Sequence, residues 1–387
     1  MIKKQSSSSK ITIAQILPNI ENGGVERGVL DLSKAAKKHD DLELIVISAG
    51  GSMISQFDKY KIKHIKLSVN SKNPLIIFFN IFQLARIIKK YQINICHARS
   101  RAPAWSTYFA CKLTKSKFLT TFHGVYSLKG FIAKKSFFKK LYNAIMVKPN
   151  LIIAVSNFIK NHIQQEYKIP ENKIQVIHRG VDLDYFSCEK VSNARIVKII
   201  ENLKLQEDKN IILLPGRFTS WKGHDLLLDA LEDIRAENFI CLMVGKSNQS
   251  YNNHLQKLIK AKGLAGKVQM LDHVSDMPAL YMISTIILST STRPEAFGRI
   301  AIEAGAMEKI IIATNLGGAK ETILDNETGF LFNHENAQEL SEKIKKLLSL
   351  DLKIREEMGI KARERIEKYF SSKKMISNIL DLYRNIS

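Results

Sequence analysis

The stretch RPEAFGRIAIEAGAMEKIIIATNLGG sets two carboxylates, Glu295 and Glu303, with seven residues between them. On one continuous helix they would stand ~12 Å apart. The acid and base of a glycoside-cleaving pair face each other across only roughly 5 to 9.5 Å, so the spacing suits two contacts along one extended ligand better than hydrolysis. Pro294 to Phe297, including Ala296, read as a loop after the apolar run TIILSTS, and Gly298 to Met307 as a helix. The N–H groups of Gly298, Arg299 and Ile300 then point at whatever lies ahead of the helix, and a helix N-terminus favours an anion such as phosphate.

Two cations are available to meet that charge. LLPGRFTSWKGHDLLLDAL places Arg217 at the end of a strand and Lys222 five residues later, before a helix. A planar guanidinium and a compact ammonium can neutralise a diphosphate from two directions. In the N-terminal half, ILPNIENGGVERGVL puts Gly23 and Gly24 between strand and helix, where the backbone either simply turns or closely approaches a ligand; Glu26 follows as a first-turn acid. TTFHGVYS sets His123 at a strand end, either as a satisfied structural residue or as a ligand-facing one. Ser156 in AVSNFIK suits a helix N-cap at least as well as a ligand contact. Asp182 and Asp184 imitate a metal-binding DxD pair, but they fall at a domain junction, where fixing the linker is the expected role. No metal is expected.

These groups need a scaffold. KITIAQILP, LELIVISAG, KHIKL, INICHA, FLTTFHG, LIIAVS and KIQVIHRG form one series of strand-like segments, and NIILLPGR, FICLMVG, VQMLDHV, TIILSTS, KIIIATN and GFLF a second, with helical periodicity between them. Such alternation predicts an α/β protein with two doubly wound parallel sheets covered on both faces. Residues 1–190 and 191–370 are the expected domains, with a last helix, 371–387, packing back on the first. The first Gly-rich turn reads GGVERG, so the GxGxxG dinucleotide fingerprint is missing. Ligands of doubly wound sheets bind at the C-terminal ends of the strands, and here a cleft between the facing domains is expected.

The length, 387 residues, also favours two cores over one. The polar start MIKKQSSSSK has no signal core, which predicts a cytoplasmic protein. Cys96, Cys111, Cys188 and Cys241 make no CxxC pair and are expected to be reduced. PLIIFFNIFQLARIIKKY, residues 74–91, is broken by Asn80, Gln83 and Arg86 and is expected to be a buried or half-buried helix, too short to span a bilayer. The net charge of +22 is one-sided, and from Lys59 to Gln165 no acidic residue occurs among 20 Lys or Arg. Such a field points to an anionic partner: membrane lipid, nucleic acid or a phosphorylated substrate. Gly130 to Lys148, GFIAKKSFFKKLYNAIMVK, alternates basic residues with Phe131, Phe137, Phe138, Leu141 and Tyr142, the pattern of a helix lying on an anionic membrane.

GRFTSWKG, EAFGRIAIEAGA and NLGGAKETI together resemble the donor domain of the retaining glycosyltransferases of family 4, which have the GT-B fold of two Rossmann-like domains facing across a cleft. The resemblance covers almost the whole chain. It implies that Glu295 contacts donor-sugar hydroxyls and Glu303 the ribose, that Arg217 and Lys222 hold the diphosphate, and that amides from Phe297 to Ile300 complete the cradle. It also implies that the Gly23–Gly24 loop lines the site and that His123 lies beside donor sugar and acceptor. Arg179 before Gly180 departs from the commoner Asn-Gly of the family, which leaves an acceptor contact at that position open.

The resemblance thus implies a metal-independent, cofactor-free transferase. Its expected partners are a nucleotide-sugar donor, a membrane-linked or anionic glycan acceptor of lipopolysaccharide type, and the anionic inner face of the plasma membrane, with no nucleic acid. A glycoside phosphorylase of the same fold, carrying pyridoxal phosphate, and a basic nucleic-acid-binding protein are the rival readings.

Overall fold

The computed structural model describes residues 10–126, 141–206, 208–246 and 248–387. They divide into two compact units, one running up to His178 and resuming over Met375–Ser387, the other Arg179–Lys374. The division after His178 lies ahead of the boundary expected at residue 190.

Every one of the thirteen strand-like segments is a strand. The first unit holds β1 (Ile11–Ile16), β2 (Leu42–Ser48), β3 (His64–Lys66), β4 (Ile95–Ala98), β5 (Lys117–Phe122), β6 (Leu151–Ala154) and β7 (Ile174–Val176). The second holds β8 (Asn210–Pro215), β9 (Phe239–Val244), β10 (Val268–Leu271), β11 (Ile286–Ser289), β12 (Ile311–Thr314) and β13 (Gly329–Phe332). All pairings are parallel, in the orders β3-β2-β1-β4-β5-β6-β7 and β10-β9-β8-β11-β12-β13. Each sheet is thus wound outward from its first strand and then back past it. That reversal makes a switch point between β1 and β4 and another between β8 and β11, where loops diverge to opposite faces and leave room for a ligand. These are the two doubly wound parallel sheets that the alternating segments led us to expect.

The strands read as unbroken apolar runs because helices cover both faces. Ile212, Leu214, Met243, Leu288, Ile312 and Phe330 pack beneath Leu228, Leu340 and Ile344 in the second unit. In the first, Ile13, Leu44, Ile95, Leu119 and Ile153 meet Ile379, Leu380 and Tyr383 of the closing helix Ser372–Ile386. That helix is also fastened by a buried polar chain. Gln15 Nε2 donates to the Tyr383 hydroxyl at 2.8 Å, His97 Nδ1 lies 2.6 Å from the same oxygen, and His97 Nε2 lies 2.7 Å from Thr121 Oγ1.

Helix Pro74–Lys90 is capped by Asn73, whose side chain accepts from the Leu75 amide. Its Asn80, Leu84 and Ile88 face inward. The helix is thus half-buried, one of the two states expected for it: on the opposite face Leu75, Phe78, Phe79 and Phe82 are exposed, with no covering element among the described residues. Of the expected membrane helix within Gly130–Lys148, residues 130–140 lie outside the described residues. No helix of the described residues is long and apolar enough to cross a membrane.

Candidate functional site

The second unit concentrates the expected residues at its switch point. Beyond β8 the chain passes Gly216, Arg217 and Phe218, makes a short 3-10 turn Ser220–Lys222, and enters helix His224–Asp233 through Gly223. Gly223 has φ +71°, and a Cβ there would lie 1.9 Å from the Thr290 carbonyl oxygen. Glycine is therefore required both by the left-handed backbone and by the close approach of the loop after β11. Thr290 secures the approach: its hydroxyl donates to the carbonyls of Lys222 (2.9 Å) and Gly223 (3.1 Å). The Thr292 amide adds a bond to the Trp221 carbonyl at 2.8 Å.

This clamp aims Lys222 across the sheet end. Its Nζ lies 2.6 Å from Glu295 Oε1 and 4.7 Å from the centre of the Trp221 ring. Ser291 donates a second, short hydrogen bond to the same carboxylate oxygen. Arg217 is exposed and makes no ion pair or hydrogen bond among the described residues. The two cations assigned to a diphosphate therefore differ: one is held by a carboxylate, the other stands in solvent.

Glu295 is fixed from behind by the NLGG loop. Gly318 N donates to the Glu295 carbonyl at 2.8 Å, and a Cβ on Gly317 or Gly318 would run into the backbone of Glu295 to Phe297. Phe297 turns inward, buried against Phe370 with ring centres 5.7 Å apart, so this residue offers the site only its backbone. Gly298, at φ +82°, starts the helix Arg299–Ala306, and no side chain caps its first turn. The leading amides, those of Arg299 and Ile300, are left to solvent or a ligand rather than to a side chain. Glu303 sits within this helix, its carboxylate accepting from the buried Tyr281 hydroxyl (3.1 Å) and from Arg299 Nη2 (2.8 Å). Burial and that carboxylate push the Tyr281 phenol well above its ordinary range, so it stays a donor.

Gly23, Gly24 and His123 belong to the first unit. Gly23 precedes the helix Gly24–Ala36 with extended backbone and no side-chain cap, and His123 follows β5. At the switch point between β1 and β4 stands Arg99, buried, donating from Nε (2.9 Å) and Nη2 (2.6 Å) to Gln15 Oε1. Ser156 is an N-cap, accepting from the Ile159 amide. Asp182 caps its own turn through the Asp184 and Tyr185 amides, and Asp184 pairs with Lys190 and Lys373.

Sequence reasoning missed Ser291, Thr290, Trp221, Tyr281 and Arg99. The signal was available for some of them: STS after TIIL and HAR after INIC are polar side chains at the carboxyl end of buried strands, where a doubly wound sheet offers its ligand face. Tyr281, distant in sequence and sitting in a helix, had none.

Over nearly its whole length the chain is similar to known glycosyltransferases. The model of glycosyl transferases group 1 matches residues 196–365, and that of Glycosyltransferase Family 4 matches residues 22–185. A crystal structure of a glycosyltransferase from Rickettsia africae ESF-5 is 44% identical, with a TM-score of 0.90 over 97% of this chain and 98% of that one. The capsular polysaccharide biosynthesis glycosyltransferase CapM of Staphylococcus aureus is 26% identical over 99% of this chain and 97% of its own. The structure of Anabaena Alr3699/HepE in complex with UDP and glucose shares the fold, at 21% identity and a TM-score of 0.81 over 96% of this chain and 99% of that one.

Proposed function

Since the chain belongs to the group 1 glycosyltransferases of family 4, we propose that it moves a sugar from a nucleotide-sugar donor, with retention at the anomeric carbon, to a hydroxyl of a glycolipid or polysaccharide acceptor of the cell envelope. The observation that carries this reading is the convergence of Lys222, Glu295 and the uncapped helix start at Gly298 on the β8/β11 switch point. A diphosphate fits the cationic and amide side of that convergence, and sugar hydroxyls fit the carboxylate side. The Anabaena relative's complex with UDP and glucose supports a donor of this class. The capsular relative supports an envelope glycan as acceptor, and lipopolysaccharide or a related polymer is our assignment.

In the reaction the acceptor oxygen bonds to the anomeric carbon as the bond from that carbon to the diphosphate oxygen breaks. The electron pair leaves with the diphosphate, and its departing oxygen takes the acceptor's proton. Charge accumulates on the leaving group, where Arg217, Lys222 and the amides of Gly298, Arg299 and Ile300 meet it; losing one such donor costs about 3 to 4 kcal/mol of transition-state stabilisation. Glu295 orients the sugar and Glu303 the ribose. Gly23 and Gly24 let the backbone approach the donor, and His123 positions a reacting hydroxyl. We assign the work to the inner face of the plasma membrane. Transfer and donor hydrolysis measured on Arg217→Ala and Lys222→Ala test the reading: both rates drop about 100-fold or more, and unchanged transfer rejects the assignment.

A further inference from the structure

We propose that the outward face of helix Pro74–Lys90 is a docking surface for an anionic lipid bilayer. The proposal rests on the reading of a membrane-borne acceptor, and it places the contact on residues other than Gly130–Lys148. A helix turns about 100° per residue, so Leu75, Phe78, Phe82, Arg86 and Lys89 form one stripe, opposite the inward Asn80, Leu84 and Ile88. Phe79 and Lys90 flank the stripe. Leu75 is 68% exposed, Phe78 54%, Phe79 61% and Phe82 46%. Singly exposed apolar residues are ordinary, but four along two turns of one helix form a contiguous patch of the kind that marks an interaction site. The rings are packed edge-on among themselves, Phe78 lying 5.2 Å from Phe82 and 6.0 Å from Phe79, centre to centre.

The arrangement along the helix identifies the occupant. Aromatic and aliphatic residues fill the first half of the exposed face, and Arg86, Lys89 and Lys90 fill the second. The neighbouring helix Arg101–Thr114, packed against this one, adds exposed Phe109, Leu113 and Lys112. From Lys59 to Gln165 there is no carboxylate to offset these cations. A second copy of the chain would bring the same positive charge against itself, which opposes self-association. An anionic lipid surface instead takes the rings between its headgroups and the cations at its phosphates. The helix has one buried side and 17 residues, so it lies in the interface and does not span it.

The test uses the full chain and sedimentation with vesicles, in the absence of sugar donor. Wild-type protein partitions onto vesicles of phosphatidylethanolamine and phosphatidylglycerol and not onto phosphatidylcholine alone. Phe79→Ser combined with Phe82→Ser lowers the partition coefficient about tenfold or more. Arg86→Glu combined with Lys89→Glu lowers it about tenfold on the anionic vesicles. Both variants keep the wild-type melting temperature and its rise with nucleotide sugar, which shows an intact fold and donor site. Equal partitioning of wild type and the Phe variant overturns the proposal, as does a wild-type dimer that the same variant dissolves. Because lipid binding is read without transfer, failure here leaves the transferase reading standing. Loss of transfer in Lys222→Ala with vesicle binding intact separates the two in the other direction.

Discussion

Lys222 and Glu295 meet across the end of the second sheet, Nζ to Oε1 at 2.6 Å, with side chains only 14% and 15% exposed. A pair so enclosed fixes both side chains, and on the proposed reading a diphosphate would share Lys222 with the carboxylate already beside it. Removing one partner leaves the other charged with little water, at a cost of about 1 to 3 kcal/mol in a half-desolvated place. Lys222→Ala and Glu295→Ala are each expected to destabilise the second unit by that amount in urea melts. The double variant loses less than the sum of the two. Strict additivity would mean that the contact contributes nothing to the resting enzyme.

Two glycines predict opposite signs. Gly223→Ala forces a Cβ into the Thr290 carbonyl at a left-handed residue, so it destabilises by several kcal/mol, on the order of 3, and abolishes the thermal shift given by nucleotide sugar. Gly28, inside the helix Gly24–Ala36, has open space where a Cβ would go. Gly28→Ala is expected to raise stability by about 0.5 to 1 kcal/mol. Calorimetry on both variants decides, and a stable Gly223→Ala protein with normal donor binding would contradict the packing argument.

The fold was largely legible because its physics is local. An apolar run such as IIAT or FICLMV buried on both faces needs no distant information, and thirteen such runs alternating with helices leave few topologies. Glu295, Arg217 and Lys222 stood out for the same reason, being charged residues between a strand end and a helix start, and Glu303 stood out by its spacing from Glu295. What stayed hidden depends on contacts far along the chain. Thr290 matters through the carbonyls of Lys222 and Gly223, Tyr281 reaches Glu303 from another helix, and Tyr383 reaches Gln15 from the chain's far end. Whether helix Pro74–Lys90 would be buried or half-buried stayed open in the sequence, because hydrophobicity reports what a residue prefers and not whether another element arrives to cover it.

The assignment of diphosphate charge to Arg217, Lys222 and a helix N-terminus predicts that no divalent cation is needed. Transfer assayed after exhaustive chelation is expected to retain its rate, and restoration by added magnesium or manganese after a loss would reject the cation assignment.

Tyr383→Phe tests how the closing helix is held. The change deletes the hydroxyl that serves both Gln15 Nε2 and His97 Nδ1 in a place without solvent. Two buried polar groups lose a partner, so a cost of about 1 to 3 kcal/mol follows. Deleting residues from Met375 onward exposes the first core as well, and the remaining chain is expected to lose its cooperative melt. An unchanged denaturation midpoint for Tyr383→Phe would show that the polar chain is incidental to the seating of this helix.

The last prediction concerns acid. His224 opens the helix after Gly223 with no exposed surface, its ring centre 4.7 Å from that of Phe218, and burial pushes it down to about 4. The unfolded chain titrates near 6.5. Between those values the unfolded state binds a proton that the folded state refuses, so stability falls as pH drops through this window and is fully retained above it. The whole effect amounts to at most about 3 kcal/mol. His97 in the first unit is lowered in the same direction, so wild-type acid sensitivity alone does not single out His224. His224→Leu does: urea melts from neutral pH down to pH about 5 should show the variant closing on the wild type as acid is added, because only the wild type loses this contribution. A gap that stays constant with pH would mean that His224 is not held neutral.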